Sequence, residues 1–250
     1  TTTGKLIQTI LEKNGKKVFQ NESGANLLNG IASSLLLHSS ILCKINYDFA
    51  IFEIDENTLS LILKEINDPE FIIILNLFRD QLDRYGEVNS ISKKWGEALR
   101  KLSKKTIFIL NADDPQIASL RLCLKGVNVK FFGLNDRKLA TANTQHAVDS
   151  TYCPNCGCKL SYSLIFYSHL GIWKCPKCTN ARPQLDAENA PIYPLLGIYN
   201  RYNTIAAVQL SRQLNIEEKH IAAGLKSFKP AFGRQEILNI NGKRVQIFLS

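Results

Sequence analysis

The chain has 250 residues, of which 45% are hydrophobic and 21% charged. That balance excludes disordered, collagen-like and coiled-coil chains, and no stretch reaches the roughly 18 consecutive apolar residues of a membrane-crossing helix. With 31 basic against 22 acidic residues the net charge is +9, which suits a phosphorylated ligand, a nucleic acid or an anionic membrane face. In chain order, Leu6, Ile7, Ile10 and Leu11 recur at helical spacing and predict a helix over 1–13, stopped near Gly15. A short strand follows at 18–19, then a helix beginning near Ser23 and Asn26 with Leu27, Leu28, Ile31, Leu35 and Leu36 on its apolar face. Next come a strand at 49–54, a helix at 59–66, and an apolar run at 71–75 that reads as a strand buried on both faces. A polar loop over 76–87 leads to a helix at 90–102, a strand at 106–110, a helix at 115–124 and a strand at 127–132. This alternation predicts an α/β fold, a mostly parallel sheet with helices on both faces.

The pattern breaks near Asn135. Residues 139–150 read as a linker and 152–182 carry paired cysteines. Helices are expected again at 200–214 and 216–225. The last runs, 236–240 and 245–249, flank Asn241-Gly242, a hairpin signal. The sequence holds no methionine and its final strand pattern stops in mid-course, so the chain is expected to be an internal piece of a longer protein.

Seven cysteines are present. Cys153-Pro-Asn-Cys156 and Cys175-Pro-Lys-Cys178 have the spacing of a zinc ribbon. Turns of this kind aim backbone N–H groups at thiolates, and two of them close a tetrahedral site of four sulfurs. The intervening residues alternate as a hairpin should. Four protein ligands leave no open position, so the metal would be structural. A redox dithiol is the competing reading. Cys158 reads as a bystander, and Cys43 and Cys123 as small buried hydrophobes.

Carboxylates and amides cluster where strands end. Glu53 and Asp55 follow one strand, Asn76, Arg79, Asp80, Gln81, Asp83 and Arg84 follow the second, and Asn111-Ala-Asp113-Asp114-Pro115 follows the third. Ligands bind at the C-terminal ends of parallel strands. Thr1-Thr2-Thr3 opens the first helix, where hydroxyls serve as caps or, in a phosphate-binding loop, as a magnesium ligand.

Thr1-Thr2-Thr3, Ser23-Gly-Ala-Asn-Leu-Leu-Asn-Gly30, Phe52-Glu-Ile-Asp-Glu56, the run from Asn76 to Glu87, Asn111-Ala-Asp-Asp-Pro115, Tyr199-Asn-Arg-Tyr-Asn203 and Phe232-Gly-Arg-Gln-Glu236 resemble the central domain of the Mur ligases, over essentially the whole chain. The ribbon is not general to that family; it is similar to that of the family's amide-forming type. The resemblance implies a division into a first part of the central domain at 1–150, a zinc-ribbon insert at 151–182 and a second part at 183–250. It implies ATP, Mg2+ and Zn2+. Thr1 matches the threonine that meets Mg2+, Glu53 a metal-binding carboxylate, Asn200 and Asn203 the asparagines beside adenine, and Arg234 the arginine of a Gly-Arg motif. Asn76, Asp80 and Asp113 match motif positions in the substrate cleft. Gln81 stands where many amino-acid-adding members have histidine. Lys93 and Lys94 lie near a lysine that some members carbamylate, although exposed helix lysines are the plainer reading.

The reaction implied is ATP-dependent amidation of the D-glutamate α-carboxylate of lipid II through an acyl phosphate. Its ammonia would come from a separate glutaminase subunit (GatD), in the cytoplasm at the inner face of the plasma membrane. No nucleic acid is expected. The phosphate-loop glycines and lysine lie outside this sequence, as does the C-terminal domain expected to hold the catalytic residues, so the 250-residue piece is expected to be inactive by itself. Two other readings stand beside this one: an amino-acid-adding Mur or folylpolyglutamate-type ligase, and a non-catalytic zinc-ribbon module that binds nucleic acid or protein.

Overall fold

The computed structural model describes residues 1–21, 24–42, 44–78, 88–141, 150–230, 234–240 and 243–248, the last two segments as backbone. The chain divides into two compact units. One joins residues 1–53 to 190–250, and the other is continuous from 54 to 189.

The first unit is built on α1 (Thr2–Lys13), whose stripe of Leu6, Ile7, Ile10 and Leu11 is buried. It packs against α6 (Ile198–Gln213) and α7 (Glu218–Ser227). Gly224 is required at that crossing, because a Cβ there would stand 2.7 Å from the Ile10 Cα. Strands β1 (Val18–Gln20) and β2 (Phe49–Ile51) pair in parallel, with α2 (Leu28–Leu37) between them in sequence. β2 is shorter than its pattern suggested. The ladder stops where the Asn21 side chain takes over both backbone groups of Glu53. A hairpin of β8 (Arg234–Ile240) and β9 (Lys243–Phe248) ends the unit, as expected, and Asn241-Gly242 lies outside the described residues.

In the second unit, β3 (Phe71–Ile74), β4 (Ile107–Asn111) and β5 (Asn128–Phe132) form a parallel sheet in the order β3-β4-β5. Among the described residues its α-helices are α3 (Leu59–Glu65), α4 (Val88–Leu99) and α5 (Pro115–Ser119). Central β4 is wholly buried at Phe108, Ile109 and Leu110, and its core includes Leu63, Trp95, Leu99 and Ile117. β3 departs from expectation. It takes an outer place in this sheet, and Phe71 and Ile73 are only half-buried. The helix expected over 115–124 is cut short after Ser119 by a 3-10 turn at Leu120–Leu122. Cys123, expected inside, is exposed, because it follows that turn on the outer side beside the exposed Leu122. Cys43 lies outside the described residues.

The cysteine segment belongs to this second unit. Its hairpin, β6 (Ser161–Tyr167) and β7 (Leu170–Lys174), is antiparallel. Thr141 bridges to Ile165 before it, and Ala187 pairs with Phe132 after it.

Candidate functional site

The Cys153, Cys156, Cys175 and Cys178 sulfurs all lie within 4.8 Å of one another. Cys153 faces Cys178, and Cys156 faces Cys175, each pair at 3.5 Å. That is far beyond a disulfide bond of about 2.05 Å. It is close to the edge, about 3.8 Å, of a tetrahedron with 2.3 Å metal–sulfur bonds. The four sulfurs thus fit a tetrahedral metal. Donors converge on three of them: Lys177 N donates to Cys175 Sγ, and the Asn155 and Asn180 amides donate to Cys178 and Cys153. The Asn155 amide, then the Asn180 backbone, draws the Cys178 thiol down to about 6. Cys175 is also lowered: burial opposes this, and the backbone N–H groups of Cys178 and Lys177 outweigh it. Cys156 goes the other way, to about 12. A backbone bond from Cys158 lowers it, but burial and the three neighbouring sulfurs prevail. Negative charge crowded in this way is what a divalent cation relieves. Cys158 packs against the cluster without joining it.

Each knuckle turns through a left-handed residue four places after its first cysteine, Gly157 at φ 70° and Thr179 at φ 61°. Glycine takes that conformation freely, whereas a β-branched residue is strained there.

The ribbon is fastened to the exit of β4. Asp114 caps α5, accepting from Gln116 N and Ile117 N. Its other oxygen accepts from Leu77 N at 2.9 Å and lies 3.2 Å from His169 Nε2, at the tip of the hairpin. Arg182 Nε donates to Asp113 Oδ1 at 2.6 Å, while Leu134 N donates to Oδ2. Trp173 Nε1 donates to Ala112 O, and Gly171 N to Asp113 O. Asp113, Asp114 and His169 are fully buried. Gly133 leaves room for the ion pair, since a Cβ there would meet Asp113 Oδ1 at 2.5 Å. The Asp113 carboxylate, expected at a substrate cleft, is thus engaged inside the second unit by Arg182 and Leu134. His169, Trp173 and Arg182 carry no local sequence signal for this task.

A second cluster forms in the first unit. Thr1 caps α1, and its hydroxyl donates to Glu53 Oε1 at 2.9 Å. Asn21 holds Glu53 in place: its Oδ1 accepts from Glu53 N at 2.8 Å, and its Nδ2 donates to Glu53 O and Ala25 O. Two turns of helix are joined on the other side. Thr3 Oγ1 donates to Asn203 Oδ1 at 3.0 Å, Asn203 Nδ2 to Asn200 Oδ1, and Asn200 Nδ2 to Leu196 O. The fold therefore brings Thr1 to Glu53, and Asn200 and Asn203 to Thr3 at the same helix terminus. A hydroxyl and a carboxylate in contact at the start of a helix offer oxygen ligands for a hard cation beside N–H groups for phosphate. Sequence reading passed over Asn21, a polar residue directly after a parallel strand.

Asn76 is half-buried two residues beyond β3. Asp80 and Gln81 lie outside the described residues. Arg234 opens β8, where only its backbone is described. Lys93 and Lys94 are exposed on α4.

Residues 1–211 match the Mur ligase middle domain. The MurT subunit of lipid II isoglutaminyl synthase (glutamine-hydrolyzing) from Staphylococcus aureus strain COL is 30% identical over 270 residues, covering 100% of this chain and 58% of that protein. The same subunit from Streptococcus pneumoniae is 31% identical, covering 99% and 59%. A pseudomurein peptide ligase type C from Methanothermus fervidus superposes with a TM-score of 0.73 at 24% identity, covering 100% of this chain and 51% of that one, and shares its fold. The chain thus spans less than two thirds of the curated relatives it matches.

Proposed function

From the premise that the chain belongs to the Mur ligase family through its middle domain, we propose that it is the nucleotide-binding part of a peptidoglycan ligase that amidates lipid II. The likeness to two MurT subunits along the whole chain carries this reading. The Thr1–Glu53 contact supports it. Thr1 and Glu53 would hold Mg2+, which neutralises phosphate charge when bound. The Asn200–Asn203 pair would receive the adenine end of ATP, Arg234 would lie toward the phosphates, and the four cysteines would hold Zn2+ as a structural ion. Asn76 and Asp80 would face the substrate. The amino-acid segments 1–150, 151–182 and 183–250 would be central domain, ribbon insert and central domain.

The chemistry follows from the weakness of a carboxylate as an electrophile. The γ-phosphoryl group of ATP passes to the D-glutamate α-carboxylate, releasing ADP and leaving an acyl phosphate. Ammonia adds to the acyl carbon, loses a proton, and expels phosphate, leaving a carboxamide. Positioning and charge neutralisation are what the protein contributes to phosphoryl transfer. Free ammonia would reach the site from a glutaminase subunit in the cytoplasm, and the lipid substrate would keep the work at the inner face of the membrane.

The test uses the protein at the full length of its relatives, with ATP, Mg2+, lipid II and ammonium, and mass spectrometry of the stem peptide. Conversion of one carboxylate to a carboxamide with ADP release is expected. Glutamine should replace ammonium only when the glutaminase subunit is added. Unchanged lipid II with a folded, metal-loaded protein would defeat the assignment, and addition of an amino acid instead would favour the other branch of the family.

A further inference from the structure

Helix α2 is the least covered helix of the first unit: only Ile31 and Ser34 are buried along it. At its C-terminal end Leu36 and Leu37 are 71% and 76% exposed, and just beyond it Ile41 and Leu42 are 103% and 77% exposed. Water-facing surfaces rarely group large aliphatic side chains in this way. The backbone that presents them is tied down. Ser39 bridges Ile45 antiparallel, Ser40 N donates to Lys44 O at 2.9 Å, and Lys44 N donates to Ser40 Oγ at 3.1 Å. The base is an aromatic stack, in which His38 lies 4.5 Å from Phe19 and Tyr47 sits edge-on to both. Exposed lysines flank these elements along the chain: Lys44 follows the aliphatic pair within the turn, and Lys16 and Lys17 lead into β1, whose Phe19 carries the stack, with Asp48 accepting from Lys17 N.

We propose that this end of the first unit docks on an anionic phospholipid bilayer. Ile41, Leu42 and the end of α2 enter the headgroup region, while Lys16, Lys17 and Lys44 meet lipid phosphates. Exposed aliphatic side chains with lysines on the flanking segments suit a bilayer, which yields around the apolar groups and supplies negative charge. Tyr47 at the rim has the amphipathic ring that such boundaries favour. The idea rests on the proposed function in one respect: a lipid-carried substrate gives the enzyme reason to be there.

Co-sedimentation of the full-length protein with vesicles free of lipid II tests it. Wild-type protein is expected to bind vesicles of phosphatidylglycerol mixed with phosphatidylcholine, to bind phosphatidylcholine alone more weakly, and to be released by added salt. Ile41→Ser with Leu42→Ser should weaken binding by roughly tenfold or more without changing the thermal melt, because both side chains are already in water. Lys44→Glu should weaken it by a smaller factor. Equal binding by variant and wild type, or none by wild type, overturns the proposal. So does micromolar self-association that the Ser pair abolishes, since the patch would then seat a second copy. Amidation of lipid II in detergent reports separately on the proposed function, because it needs no bilayer and the vesicles carry no substrate.

Discussion

The two clusters of polar and sulfur ligands were assembled in opposite ways. The four cysteines fall within 26 residues of one another, and two short turns with a hairpin between them bring their sulfurs together. The Thr1–Glu53 cluster draws on a helix start, two strand ends and a helix nearly two hundred residues on. A site written in one stretch stands or falls with its own ligands, whereas a distributed site depends on the elements that carry it. That difference orders the effects expected of substitutions.

Removing a cysteine ligand should have the largest effect. Structural zinc contributes on the order of 10 kcal/mol in isolated finger peptides. Cys175→Ser is therefore expected to release the metal and open β6 and β7 as one unit, read by metal content and by amide exchange across Ser161–Lys174. Retention of metal and protection would show that three ligands suffice. Next comes Arg182→Met, which strands a buried carboxylate on Asp113 and should cost about 3–5 kcal/mol in denaturant unfolding. A loss under about 1 kcal/mol would mean that the Asp113 carboxylate is satisfied without the guanidinium, Leu134 N remaining as a donor to it. In the distributed cluster Asn21→Ala should cost less, about 1–3 kcal/mol, by leaving the Glu53 backbone groups without that partner. It should also weaken Mg2+-dependent nucleotide binding by the full-length protein, and calorimetry separates the two effects. Smallest of all, Thr179→Gly should stabilise the ribbon by about 0.5–1 kcal/mol by relieving its left-handed backbone. A loss would show that the Thr179 hydroxyl, bonded to Cys178 O, is worth more than the strain.

The same contrast explains what could be read from the residues alone. Spacing announced the cysteine site, and helical or alternating periodicity announced most elements, because both are short-range signals. Thr1 and Glu53 drew attention through resemblance and strand ends, but nothing local said that Asn21 would hold Glu53. The Arg182–Asp113 pair spans 69 positions, and no pattern within one element encodes it. Cys123 departs from expectation for the converse reason: the apolar stretch predicts a continuous helix, and a tightened turn swings its last residues outward. β2 ended early because a side chain, not a neighbouring strand, satisfied the next backbone groups.

The discontinuous first unit has a consequence for birth on the ribosome. α1 emerges with its Leu6–Leu11 stripe exposed, and the helices that cover it are made only after the whole of the second unit. At about 5–20 residues per second that interval lasts on the order of tens of seconds. The second unit, continuous in sequence, can close as soon as it leaves the tunnel. By the end of the wait the nascent chain carries a finished domain behind an unfinished one, and throughout it the apolar helix is open to chaperones or to a neighbouring chain.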